Sequence, residues 1–178
     1  MIAELFFAKE GSRMNGKKTR LLLSLLLMGL CILAAPLLSS AEMLIAIPDF
    51  QTVGCMPYLG GAVGECVRGA LVNRGPWTVL EASQMNKIAS EHRLSMSGLV
   101  DAKKAIKVGK VLGAQYLIVG SVNATGSVFT LTARLVDVET GVVHSGFQTV
   151  THQGEEGLIE ASGFLAEDIA MELGGPDA

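Results

Sequence analysis

Gln115-Tyr116-Leu117-Ile118-Val119-Gly120-Ser121-Val122 is followed, after the turn-forming stretch Asn123 to Ser127, by Val128-Phe129-Thr130-Leu131-Thr132-Ala133-Arg134-Leu135-Val136-Asp137-Val138. The first run is almost continuously apolar and reads as a buried strand. The second alternates. Phe129, Leu131, Ala133 and Leu135 fall on one face and Thr130, Thr132 and Arg134 on the other, the period of an antiparallel strand with one face on a core. Glu139-Thr140-Gly141 is a tight turn in which glycine can take positive φ, and Val142 to His152 reads as the returning strand. A three-strand meander therefore closes the sheet on its C-terminal side.

Upstream of the meander, strands and helices alternate. Leu44-Ile45-Ala46-Ile47-Pro48 is a short apolar strand, and Pro48 ends its hydrogen bonding. Gly54, Pro57, Gly60 and Gly61 predict an irregular loop. A helix is expected from about Ala62 to Asn73, with Val63, Cys66, Val67, Ala70 and Leu71 inward and Glu65 and Arg68 outward. Asn73-Arg74-Gly75-Pro76 stops it, and Trp77 to Glu81 is a second short strand. Ser83 is a predicted N-cap for a helix to about Arg93 or Leu94, carrying Met85, Ile88 and Ala89 inward. Another helix is expected from Asp101 to Leu112, with Ala105, Ile106 and Val108 inward, four lysines outward and Gly113 just past its end. A last helix, Glu155 to Leu173, would bury Leu158, Phe164, Leu165 and Ile169. The order β-α-β-α-α-β-β-β-α predicts an α/β (α+β) fold with one mixed sheet of about five strands and helices packed on it.

Residues 1–41 read as a targeting segment. Lys17, Lys18 and Arg20 precede an apolar run from Leu21 to Leu38, and Ser39-Ser40-Ala41 supplies small residues for cleavage, so a signal peptide cut after Ala41 is expected. Met14 is an alternative start. Retention of the run as a membrane anchor and lipid attachment at Cys31 are the competing outcomes, the latter disfavoured because Leu30 is not small. The expected domain is then 42–173 with a disordered tail at 174–178. Residues 42–178 hold 9 Lys and Arg against 15 Asp and Glu. That balance argues against a nucleic-acid partner, which needs a basic footprint, and against a polybasic membrane patch.

Few residues suggest site chemistry. Cys55 and Cys66 are the two cysteines after residue 41, and in an oxidising compartment they are a disulfide candidate; separate buried thiols are the alternative. Gly60-Gly61-Ala62-Val63-Gly64 lies where a dinucleotide loop would, but not with G-x-G-x-x-G spacing. His144 and His152 are too far apart along a strand to share one metal, and His92 stands alone. No G-x-S-x-G elbow occurs. No catalytic residue, cofactor or metal site is expected. Phe50, Met56, Tyr58 and Leu59 give the first loop an apolar content that suits either a cap on the core or a partner-contact patch.

From Leu80 to Ser121 the chain carries Met85 and Ile88, Glu91-His92-Arg93-Leu94, Ser97-Gly98, Asp101, Ala105, Val108-Gly109, Leu112-Gly113-Ala114 and Tyr116 to Ser121, followed by Ala133 to Gly141. In this combination it resembles the periplasmic domain of the curli secretion channel (CsgG) family, shared with the flagellar assembly protein FlgO and the penicillin-binding-protein activator LpoB, and in general architecture the TolB N-terminal domain. The resemblance implies a periplasmic or outer-membrane-associated protein that is not an enzyme. It would bind another envelope protein or itself in assembly or secretion of a surface structure. Activation of a peptidoglycan synthase is the alternative, and a nucleotide-binding or enzymatic domain the least supported. The chain has no spare length for the channel's barrel-building segments and shows no long linker of the activator type, so no pore is expected. Membrane association would require lipidation of Cys31 or a retained signal.

Overall fold

The structure, a computed structural model, describes residues 42–72, 74–96, 99 and 101–174. The expected signal peptide, Cys31 and the last four residues of the expected tail lie outside them. Strands β1 (Met43–Ala46), β2 (Gln51–Val53), β3 (Trp77–Val79), β4 (Tyr116–Thr125), β5 (Val128–Asp137) and β6 (Val143–Thr151) form one sheet of order β3-β1-β4-β5-β6, with β2 also on β4. β1 is parallel to β3 and β4, β2 is parallel to β4, and the β4-β5-β6 meander is antiparallel. The sheet is mixed, as expected, but has six strands. The additional one is β2, in the stretch read as irregular loop. β1 and β2 lie on the same edge of β4, and between Ala46↔Leu117 and Gln51↔Ser121 the register slips by one residue. They are one strand line interrupted at Ile47-Pro48-Asp49-Phe50, where proline cannot donate to a ladder.

Helices α1 (Tyr58–Leu71) and α4 (Leu158–Glu172) cover one face of the sheet; α2 (Ala82–Glu91) and α3 (Ala102–Leu112) cover part of the other. Period two along the strands divides the core accordingly. Ile45, Ile47, Ile118, Val122, Phe129, Leu131 and Leu135 pack with Val63, Val67, Leu165 and Ile169. Ala46, Leu117, Val119 and Val136 pack with Met85, Val108 and Leu112. The Asp101 carboxylate accepts from the Lys103 and Lys104 amides at 2.8 and 3.1 Å, a cap worth about 1 kcal/mol. At the other end of α3 Gly113 is left-handed at φ 71°. α2 begins one residue before the expected cap Ser83, with Glu81 in the cap position and no side-chain capping bond.

Three expectations change. α1 begins at Tyr58 rather than about Ala62, because Gly60 and Gly64 are a bare helical surface that sits directly on the strand crossing. A Cβ on Gly60 would stand 1.9 Å from the Phe50 carbonyl oxygen, and one on Gly64 3.3 Å from Asp49 Cα. Phe164, expected in the core, is 53% exposed, since Ala161, Leu165 and Ile169 already fill the face of α4 that meets the sheet. Arg68, expected in solvent, is buried.

Candidate functional site

The most distinctive local construction is the strand crossing. Arg68, on the inner side of α1, is 5% exposed. Its Nη1 donates to the Ile47 carbonyl at 2.5 Å, its Nη2 to Asp49 Oδ1 at 3.4 Å, and Nε and Nη2 to Glu65 Oε2 at 3.1 and 2.8 Å. Both carboxylates are mostly solvated, so the buried cation is neutralised without burying two anions. The fork geometry of a guanidinium lets one side chain hold a carbonyl and two carboxylates at once. Phe50 is pinned as well: its amide donates to the Gly60 carbonyl at 3.0 Å, and its ring lies where a Cβ on Gly120 would be, 2.4 Å from Cε2.

The four partner-contact candidates are therefore divided. Phe50 and Leu59, each 4% exposed, belong to the core. Met56 and Tyr58 are 57% and 60% exposed and remain available. The Tyr58 hydroxyl donates to Glu155 Oε2 at 2.8 Å. That bond, with the adjacent negative charge, holds the phenol's pKa above its usual value. The expected Cys55–Cys66 bridge is not formed. Both are free thiols, Cys55 just before α1 with its Sγ 3.5 Å from the Val122 carbonyl and Cys66 on α1 itself.

Beside the crossing lies a groove of about 400 Å³ between Pro48–Thr52 and α2, with Met85, Asn86, Met96 and Leu99 on its far wall. From there β2 leads onto the part of the sheet that α2 and α3 leave uncovered. Gln51 pairs with Ser121, Val53 with Asn123, Ser121 with Thr132, and Thr132 with Gln148. Paired residues share a face, so Gln51, Ser121, Asn123, Thr132 and Gln148 form a polar surface that also carries the exposed Val53. Ser121 Oγ and Thr132 Oγ1 are 2.8 Å apart, and Asn123 Nδ2 donates to Ser121 Oγ at 3.0 Å. This hydroxyl and amide surface is fitted to hydrogen bonding.

His144 Nε2 is 3.7 Å from Asp137 Oδ2, and its ring meets Tyr116 edge-on at 5.9 Å. The Asp137 carboxyl is held below its usual pKa, first by the backbone N–H of Thr140, which donates at 2.7 Å. His92 and His152 are exposed. Among the described residues no three His, Cys, Asp or Glu side chains are arranged to hold a metal ion. An arginine on a helix ordinarily reads as solvated, and the burial of Arg68 follows from a contact distant in sequence, the Ile47 carbonyl beside Pro48, where the ladder breaks.

A half-covered mixed sheet, with paired helices on one face and an open hydrogen-bonding surface beside a groove on the other, defines an α/β domain with one open sheet. Residues 39–128 match the family described as Curli production assembly/transport component CsgG, and the chain belongs to that family. It is 35% identical over 97 residues to the penicillin-binding protein activator LpoB of Enterobacter sp. (strain 638), covering 52% of this chain and 44% of the relative. It is 32% identical over 91 residues to that of Escherichia coli K12, covering 50% and 43%. The chain thus spans less than half the length of the curated relatives it matches. The LpoB C-terminal domain from Escherichia coli shares the fold, with a TM-score of 0.52 at 22% identity over 62% of this chain and 82% of that one.

Proposed function

We propose that the chain is an envelope protein that activates a peptidoglycan synthase of the penicillin-binding-protein class by docking on it, with no catalysis of its own. The observation that carries this is the 32–35% identity to proteins named as penicillin-binding protein activators. Assembly or secretion of a surface structure, the first reading of the sequence, rests on the family description alone, so the relatives reverse the order of the two readings. The geometry suits docking: a groove of mixed polar and apolar lining beside Pro48–Thr52 shares Gln51 with the polar Ser121-Thr132-Gln148 surface. Export, cleavage after Ala41 and work in the periplasm belong to the same proposal.

The test is a peptidoglycan polymerisation assay with the penicillin-binding synthase from the same envelope and increasing amounts of the purified protein. A saturable rise in rate is expected, and it should shrink when Thr132 and Gln148 are both replaced by Asp. No change in rate at any concentration would remove the proposal.

A further inference from the structure

The two edges of the sheet are unlike. β3, at one edge, is three residues long. β6, at the other, is nine residues long, and among the described residues no strand pairs with its outer edge. Natural sheets blunt a long edge with proline, lysine, inward-pointing charge or a bulge; the bulge of β6 lies at its start, where His144 falls between the Val136–Val143 and Leu135–Ser145 pairs, and Ser145 to Thr151 pair regularly. Val143-His144-Ser145-Gly146-Phe147-Gln148-Thr149-Val150-Thr151 has no proline and no Lys, Arg, Asp or Glu. Val143 and Val150 are exposed on it. Near its C-terminal end a hollow of about 310 Å³ opens between Val150, Gln153, Glu160 and the exposed ring of Phe164.

Charge limits what can pair there. From Leu135 to Ala178 the sequence has nine carboxylate side chains and no Lys or Arg. Asp137 and Glu139 stand before β6, while Glu155, Glu156 and Glu160 follow it. A second copy added through β6 about a two-fold axis would run antiparallel and set Asp137 and Glu139 of one copy against Glu155, Glu156 and Glu160 of the other at both ends. A basic segment would instead be drawn in at both ends.

We propose that β6 is a strand-addition edge that receives an extended segment of another protein, uncharged along its middle, flanked by Lys or Arg, and carrying an apolar side chain for the Phe164 hollow. The main-chain ladder supplies affinity and the flanking charges set partner and direction. The proposal does not rest on the synthase reading: that reading uses the open face of the sheet, which reaches β6 at Gln148, whereas this one uses the main-chain edge of β6.

The test is titration of the isotopically labelled protein with a synthetic strand peptide of about twelve residues, uncharged and β-branched in its middle with lysines at both ends, against the same peptide with glutamates in their place. Amide shifts from Val143 to Thr151 are expected with the lysine peptide. They should come with affinity at least about tenfold above the glutamate peptide and a loss of most of that difference in high salt. Val150→Lys, at an exposed position, should weaken the lysine peptide while leaving the unbound spectrum otherwise unchanged. Equal binding of both peptides, no binding, or shifts confined to other elements would overturn the proposal. So would shifts of the β6 amides with protein concentration alone, which would identify a second copy as the occupant.

Discussion

Replacing Gly60 by alanine separates helix propensity from packing within one helix. On propensity alone, Gly→Ala inside α1 should stabilise by about 1 kcal/mol. At Gly60 the new methyl would sit 1.9 Å from the Phe50 carbonyl oxygen. That is roughly 1.5 Å inside an ordinary carbon–oxygen contact, against backbone that cannot swing aside as a rotamer would. Relief requires the first turn of α1 to lift from the strand crossing, which breaks the Phe50 N–H bond to the Gly60 carbonyl. Overpacking of about 1–3 kcal/mol or more and a lost hydrogen bond of about 1 kcal/mol, less the propensity gain of about 1 kcal/mol, leave a net destabilisation of about 1–3 kcal/mol or more. Gly69→Ala is the internal control: it lies in the same helix, is exposed, and its Cβ would meet nothing within 4 Å. It should stabilise by about 0.5–1 kcal/mol. Urea denaturation followed by far-UV circular dichroism measures both, with the midpoints moving in opposite directions at similar slope. If Gly60→Ala proves as stable as Gly69→Ala, the close contact between α1 and the crossing is wrong.

Arg68→Ala should destabilise by about 2–3 kcal/mol, chiefly by leaving the Ile47 carbonyl unpartnered. Arg68→Lys should recover only part, since an ammonium cannot fork, and the same denaturation series reads both. Asp137, with its pKa lowered mainly by the Thr140 backbone bond, contributes stability that is present above its unfolded value and is lost as pH falls through its folded value. Below about pH 4, Asp137→Asn should therefore show a shallower acid decline than the wild type, and carbon-detected carboxyl titration should place Asp137 below the ordinary aspartate value. Alkylation of the native protein without reductant, followed by intact mass, should label both Cys55 and Cys66, as free thiols require; a mass two hydrogens short that resists alkylation would instead establish the bridge.

The meander was legible because alternation carries its own proof. Phe129, Leu131, Ala133 and Leu135 can all reach one core only in a strand, and all are buried. The Asp101 and Gly113 ends of α3 were equally plain, each having a chemical reason local to a few residues. β2 escaped because Gln51-Thr52-Val53 is too short to show a period, and its pairing with Ser121 to Asn123 lies about seventy residues away in sequence. α1 was started late because glycine is scored as a breaker, whereas at Gly60 it answers a tertiary contact that composition cannot reveal. The candidate contact patch was half legible. Met56 and Tyr58 are exposed, but nothing local distinguishes them from Phe50 and Leu59, whose fate depends on Gly120 and the core across the sheet. Phe164 shows the converse, an apolar residue at helical spacing on the wrong side of a face already full.

The interrupted line of β1 and β2 also has a mechanical side. β1 lies between β3 and β4, parallel to both. A pull on Glu42 along the strand axis would load those ladders together in shear, rather than opening them one bond at a time as peeling an edge strand does. Just beyond it the Arg68 guanidinium clasps Ile47 and Asp49 to α1, so slippage of β1 would be arrested at the crossing before tension reached the meander. Force on the first strand would thus meet two ladders and the Arg68 clasp, whereas the last strand, at the far edge, is held by one ladder.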